Sequence, residues 1–125
     1  MSDQDLLLAI DQGTQSVRAM LFDLQGQLVA KTQQHIEPYF SKQPNWAEQH
    51  CDYFWQNMAT ACQQLWQHYP ELKVRVTAAA LTCQRASMVC LDKDMQPVRP
   101  ATIWLDSRRT DQYPKLPVWL QAGVK

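Results

Sequence analysis

The chain has 125 residues, a formal net charge of zero and an apolar fraction of 46%. That length fits one domain with a core that needs no metal or disulfide to hold it. The balance of 12 basic and 12 acidic residues excludes the basic excess of a general nucleic-acid or anionic-membrane binder. No apolar run approaches the roughly 20 residues that span a bilayer.

The chain opens with MSDQD, which lacks the charged and apolar regions of a signal peptide, so a cytoplasmic protein is expected. Cys51, Cys62, Cys83 and Cys90 form no CxxC pair, and no histidine stands at metal-ligand spacing from one. Buried, reduced thiols are expected rather than a metal site or a disulfide framework. His35, His50 and His68 are scattered and are given no catalytic part.

Residues 6–10 (LLLAI) form a short apolar run suited to a strand buried on both faces. Residues 17–22 read as a second strand. DLQGQL (23–28) is a turn centred on Gly26, and residues 28–36 read as a third strand. Short connections make these an antiparallel meander. Pro38 and Pro44 bracket an irregular stretch. Cys51, Phe54, Trp55, Met58, Cys62, Leu65, Trp66 and Tyr69 then recur at spacings of three and four. That predicts one core-packed face of a helix, which Pro70 stops.

Residues 74–82 read as a fourth strand, rich in small side chains that let a helix pack closely. Residues 88–91 read as a fifth, before the turn DKDMQP, and residues 115–125 as the start of a helix. The order is β-β-β-α-β-β, an α/β fold with a mixed sheet. A helical crossover lets the fourth strand run parallel to the first. The loop DQGTQS (11–16) then sits beside CQRAS (83–87) at the carboxyl edge of the strands, where ligand sites of such sheets gather.

The residues at that edge carry usable chemistry. Gly13 allows a tight turn and close ligand approach. Thr14, Ser16 and the loop N–H groups can cradle an anion such as phosphate. Asp11 can hold Mg²⁺ through water, and Arg18 adds a fixed positive charge. The same loop also fits a plain hairpin with an Asx-type turn. Gln84, Arg85 and Ser87 can hydrogen-bond hydroxyl groups, although Arg85 also fits a surface ion pair. Trp104 beside Asp106, with Arg108 and Arg109, suits a sugar or polyol, whose C–H faces stack and whose hydroxyls donate. Equally, Trp104 fits a core position, and Asp106 or Ser107 a helix N-cap.

Four segments in order resemble the FGGY carbohydrate kinases, the family that includes glycerol kinase and xylulokinase. DQGTQSVR (11–18) resembles the family's first phosphate-binding motif. PNWAEQHCDYFW (44–55) is similar to its Pro-Gly-Trp-x-Glu-Gln segment, with Asn45 where glycine is usual. TCQRASMVCLD (82–92) resembles the Asn-Gln-Arg-Glu segment of glycerol kinase and the strand after it. IWLDSRRT (103–110) resembles the Trp-x-Asp-x-Arg segment.

The resemblance implies an actin-like, ribonuclease-H-like fold of two domains with ATP in the cleft, of which residues 1–125 are the N-terminal portion of the first. It implies transfer of the γ-phosphoryl group of ATP to a sugar or polyol hydroxyl. Asp11 would take the Mg²⁺ side through water. Gly13, Thr14, Gln15, Ser16 and Arg18 would face the nucleotide phosphates. Gln84, Arg85, Trp104 and Asp106 would face the small-molecule substrate. The family's catalytic base is expected beyond Lys125, so no catalytic residue is assigned within the chain, and the chain by itself is expected to be inactive. Ala86 stands where glycerol kinase has glutamate, which removes a hydroxyl acceptor and tells against glycerol as substrate.

Half of a two-domain sheet system leaves a face or edge uncovered, so a homo-oligomer is expected, not necessarily a native one. The alternative is a naturally short protein of the same fold that binds a ligand or partner without catalysis. An Asp-based phosphatase needs several carboxylates around a metal, and Asp11 has no clearly placed second.

Overall fold

The computed structural model describes residues 4–109. The helix predicted at residues 115–125 lies outside the described residues.

Strands β1 (Leu6–Gln12), β2 (Ser16–Phe22) and β3 (Leu28–His35) form the expected antiparallel meander. Both ladders run further into the polar segment than hydrophobicity suggests. Asp11 pairs with Arg18 and Gln12 with Val17, so only residues 13–15 remain as loop. The β2–β3 turn is built by one side chain, since Asp23 Oδ1 accepts from the N–H groups of Gln25 and Gln27 at 3.0 and 2.8 Å. Gly26 has φ +80°, which glycine adopts without steric cost.

Helix α1 (Cys51–His68) follows a short strand β4 (Glu48–Gln49). It lies over β2 and β3, with Ala61 and Leu65 fully buried. Thr32 on β3 donates its hydroxyl to the Ala61 carbonyl at 2.7 Å, which satisfies a polar group inside the contact. Around it Leu6, Val17, Ala19, Leu21, Ala30, Ile36 and Leu72 make the core. Pro70 ends α1 and opens a 3-10 helix, Pro70–Arg75, because proline lacks the N–H an α-helix interior needs.

The predicted core stripe is interrupted. Trp55 is 67% exposed, because α1 lies over β2 and β3 and not over the β5 edge of the sheet. With Phe54, Met58, Leu81 and Val89 it frames an open apolar hollow of about 300 Å³. The cysteines are correspondingly less buried than expected. Cys83 is exposed and Cys51, Cys62 and Cys90 are half-buried, all free among the described residues. Partial burial pushes the Cys62 thiol pKa up.

Strand β5 (Val76–Cys83) pairs parallel with β1 and completes a four-stranded sheet in the order β3-β2-β1-β5. Asp11 stands opposite Thr82 and Gln12 opposite Cys83, so both strands end at one edge, as expected. No described helix packs on the small residues of β5, and the strand is almost wholly exposed. Ala78, Ala79 and Ala80 instead line an open hollow of about 480 Å³ with Leu7, Ala9 and Phe22. The fifth strand expected at residues 88–91 is absent. Met88 and Leu91 make only isolated bridges, to Thr102 and Pro97. A four-residue apolar run needs a neighbouring ladder to extend, and here each neighbour supplies one position. A small antiparallel sheet of β4 with β6 (Ala101–Thr102) appears in its place.

Candidate functional site

The parallel pairing of β1 with β5 brings the loop after β1 and the loop after β5 side by side. The connection after β6 then lies against both. Within the first loop, the Gly13 N–H donates to the Ser16 carbonyl at 3.0 Å. A Cβ on Gly13 would meet that same backbone oxygen at 2.9 Å. Gly13→Ala is therefore expected to displace the loop and lower stability by about 1–3 kcal/mol, the usual cost of overpacking. A shift of the thermal unfolding midpoint checks this.

Asp11 has both oxygens engaged. Arg18 donates to Oδ2 at 2.8 Å and Thr82 Oγ1 to Oδ1 at 3.1 Å. The pair is partly solvated, with side chains 34% and 43% exposed, so its role is orientation more than stability. Gly13, Thr14, Gln15, Ser16 and Arg18 line a hollow of about 520 Å³ closed by Pro38, Tyr39, Trp104 and Leu105. A second hollow, of about 430 Å³, is lined by Asp11, Gln12, Gly13, Thr14, Cys83, Gln84, Arg85, Ala86 and Trp104. Gly13, Thr14 and Trp104 are the wall between them.

Gln84 accepts from the Ser87 hydroxyl at 3.2 Å, and its Nε2 is buried without a partner. Arg85 is exposed and has no partner among the described residues, not the ion pair a surface arginine could have. Ala86 has φ +57°, a conformation costing an L-residue roughly 1 kcal/mol or more. The loop is thus held in a strained shape at the mouth of the second hollow. Trp104 is half-exposed and donates Nε1–H to Thr14 Oγ1 at 2.9 Å, which rules out the core position.

Asp106 does not present a free carboxylate. It accepts from the Ala47 N–H at 2.7 Å and from Arg108, whose Nη2 also donates to buried Glu48 at 2.9 Å. The Arg108 guanidinium lies 3.9 Å from the centre of the Trp46 ring. The hydrogen bonds from Arg108 hold the Asp106 pKa down to about 2, against desolvation that raises it, and the same bonds raise that of Arg108. Asp106 acts as a brace between the two segments, with both oxygens engaged and only 4% of the side chain exposed. Two segments 60 residues apart in sequence are one folded unit. Asn45 belongs to it, at φ +69° with its carbonyl accepting from Ser107 at 2.9 Å. Asparagine tolerates that left-handed geometry better than most residues, which accounts for its standing where glycine is usual.

Three residues of this region were given no role by sequence reasoning. Gln12 is buried, with an unpartnered Nε2. Glu48 is the buried acid of the brace. Tyr39 lines the first hollow. Strand alternation alone could have placed Gln12 inward, since it shares a face with Leu6, Leu8 and Ile10. Nothing in the spacing reveals the pairing of Glu48 with Arg108. Among the described residues no group of three or more His, Cys, Asp or Glu could hold a metal by itself, and no helix is long and apolar enough to cross a membrane.

The model of the N-terminal domain of the FGGY family of carbohydrate kinases matches residues 6–117. A glycerol kinase of Nitrosomonas eutropha is 36% identical over 112 residues, covering 89% of this chain and 22% of that protein. A crystal structure of a xyloylose kinase from Brucella ovis superposes with TM-score 0.78 at 26% identity, over 82% of this chain and 22% of that one. A xylulose kinase from Rhodospirillum rubrum gives 0.76 at 26% identity, over 82% and 21%. The chain thus spans about a fifth of the length of the relatives it matches, and it shares their actin-like, ribonuclease-H-like architecture. With the four segments inside the matched span and the two facing loops at one sheet edge, the chain belongs to the FGGY family of carbohydrate kinases.

Proposed function

We propose that residues 1–125 are the opening part of the first domain of an ATP-dependent kinase that phosphorylates a hydroxyl of a sugar or polyol. The observation that carries this is the parallel pairing of β1 with β5, which sets an anion-cradling loop beside a loop with free amide and guanidinium donors. In this reading Gly13, Thr14, Gln15, Ser16 and Arg18 receive the nucleotide phosphates. Loop N–H groups, hydroxyls and a fixed cation stabilise charge that spreads over the transferred group. Gln84, Arg85 and Trp104 receive the sugar, with Asp106 holding Trp104 in place.

The residues present fit Mg²⁺ bound through water. Asp11 is one partly exposed carboxylate at the loop, and Mg²⁺ typically takes one or two carboxylates, several waters and phosphate oxygens. The ion would neutralise phosphate charge. The chain's own residues orient the phosphates and the acceptor hydroxyl, a positioning that accounts for much of the rate in this class of reaction.

The test is ADP release with a panel of sugars and polyols, run on the product of the complete reading frame and on residues 1–125 alone. Sugar-dependent release by the complete product, with none from the short chain, is the expected result. Release by the short chain would overturn the assignment of the base outside it, and silence from both would remove the kinase reading. Self-association of the short chain through the uncovered β5 edge belongs to the same reading, and light scattering measures it.

A further inference from the structure

We infer that Trp104 is a positioning residue for the phosphate side of the site, acting through the Thr14 hydroxyl. This rests on the proposed phosphate role of the loop and goes beyond the sugar-facing role of the indole.

The direction of the Trp104–Thr14 bond is unambiguous. An indole Nε1–H donates and cannot accept, whereas a hydroxyl has one proton and two lone pairs. At 2.9 Å Thr14 must therefore be the acceptor. Its own proton is turned away from the indole and left to donate elsewhere. Thr14 lines both hollows, and the first it shares with Gly13, Ser16 and Arg18, the residues proposed to hold the phosphates. Without the indole, the hydroxyl is free to rotate among its staggered positions, and it must be ordered again each time an anion binds. Trp104 thus pre-aims a donor.

The indole is itself fixed from behind. The Ile103 N–H donates to the Ala47 carbonyl at 3.1 Å, the Asp106 N–H to the Ile103 carbonyl at 2.9 Å, and the Ser107 N–H to the Asn45 carbonyl at 2.9 Å. Ile103 is fully buried. Asp106 and Glu48 clamp Arg108 over Trp46. A half-exposed tryptophan is therefore carried on a rigid support. It also forms one wall of the hollow lined by Gln84 and Arg85, so whatever stacks there leans on the group that aims Thr14. Occupancy on one side is thereby linked to donor geometry on the other.

The test uses the 125-residue chain, labelled with ¹⁵N, titrated with magnesium tripolyphosphate and followed by NMR. Wild type, Trp104→Phe, Thr14→Val and the double variant are compared. Trp104→Phe keeps an aromatic ring but removes the donor along with part of the ring area, a loss of area that the double variant subtracts. It is expected to weaken tripolyphosphate binding about fivefold, the usual worth of one net hydrogen bond. In the Thr14→Val background the same change is expected to add nothing, since the hydroxyl it acts on is gone. Independently, the Trp104 indole N–H resonance is expected to shift in Thr14→Val, while amides elsewhere keep their positions.

Equal losses from Trp104→Phe in both backgrounds would show a merely structural role and overturn the inference. So would an indole resonance indifferent to Thr14→Val. A wild-type response that Trp104→Phe matches overturns the inference alone. No wild-type response to tripolyphosphate overturns the phosphate reading of the loop, and this inference with it. Should Trp104→Phe fail to fold, the indole shift in Thr14→Val still decides.

Discussion

Leu65→Ala is expected to destabilise the chain by about 3 kcal/mol, within the 2–5 kcal/mol range for truncating a buried leucine. Leu65 is fully buried where α1 meets β2 and β3, surrounded by Leu6, Val17, Leu21 and Leu72. These neighbours come from three different elements, β1, β2 and the 3-10 helix, so the cavity cannot close by shifting one of them. The loss should appear as a lower urea midpoint at unchanged slope. Trp55→Ala is the contrast. It deletes a larger side chain, yet 67% of that residue is already in water, and the expected change is within about 0.5 kcal/mol. A Trp55 effect as large as that of Leu65 would mean that α1 presents a different face to the sheet.

Asp106→Ala is expected to be the most damaging change at the site that removes no proposed ligand contact. It leaves the Ala47 N–H, on a residue only 3% exposed, without its acceptor, which costs about 1–3 kcal/mol. It also frees Arg108, which is held between Asp106 and Glu48 over Trp46. Asp106→Asn keeps an acceptor for Ala47 and is expected to lose less. The pH dependence has a definite sign. The folded pKa of Asp106 is lowered to about 2 from 3.8. Its contribution is therefore complete above pH 3.8 and is lost as the pH falls through about 2. Urea midpoints of wild type and Asp106→Ala measured from pH 5 downward should converge across that window. A gap that stays constant down to pH 2 would show that the carboxylate charge is not what holds the segment.

Much of the fold was legible in the chain itself. Two apolar segments and a third that starts with Leu28, Val29 and Ala30, joined by short polar connections, favour a meander, because tight turns leave little else. A 3.6-residue period ending at Pro70 forces one helix. The crossover then makes a parallel fourth strand the simple outcome, and β5 takes that place beside β1. The order of the DQGTQS and CQRAS segments at one sheet edge follows from those elements alone.

Long-range packing decided the rest. Asp11 and Gln12 read as loop because they are polar, but ladder pairing with Arg18 and Val17 draws them into β1, since an extended partner strand supplies the hydrogen bonds that residue type does not. Residues 88–91 read as strand because they are apolar, and they are not one, since only single bridges meet them. Trp55 shares its period with Leu65 and is exposed, because period specifies a helix face and not how far a sheet extends beneath it. The surroundings of Asp106 are the least legible in the sequence. Two residues after Trp104 in sequence, its carboxylate looks available to a hydroxyl. In space it accepts from the Ala47 N–H, 59 residues away, and from Arg108, which also reaches Glu48, because buried charge is stable only when paired, and contact across that separation is a property of tertiary structure.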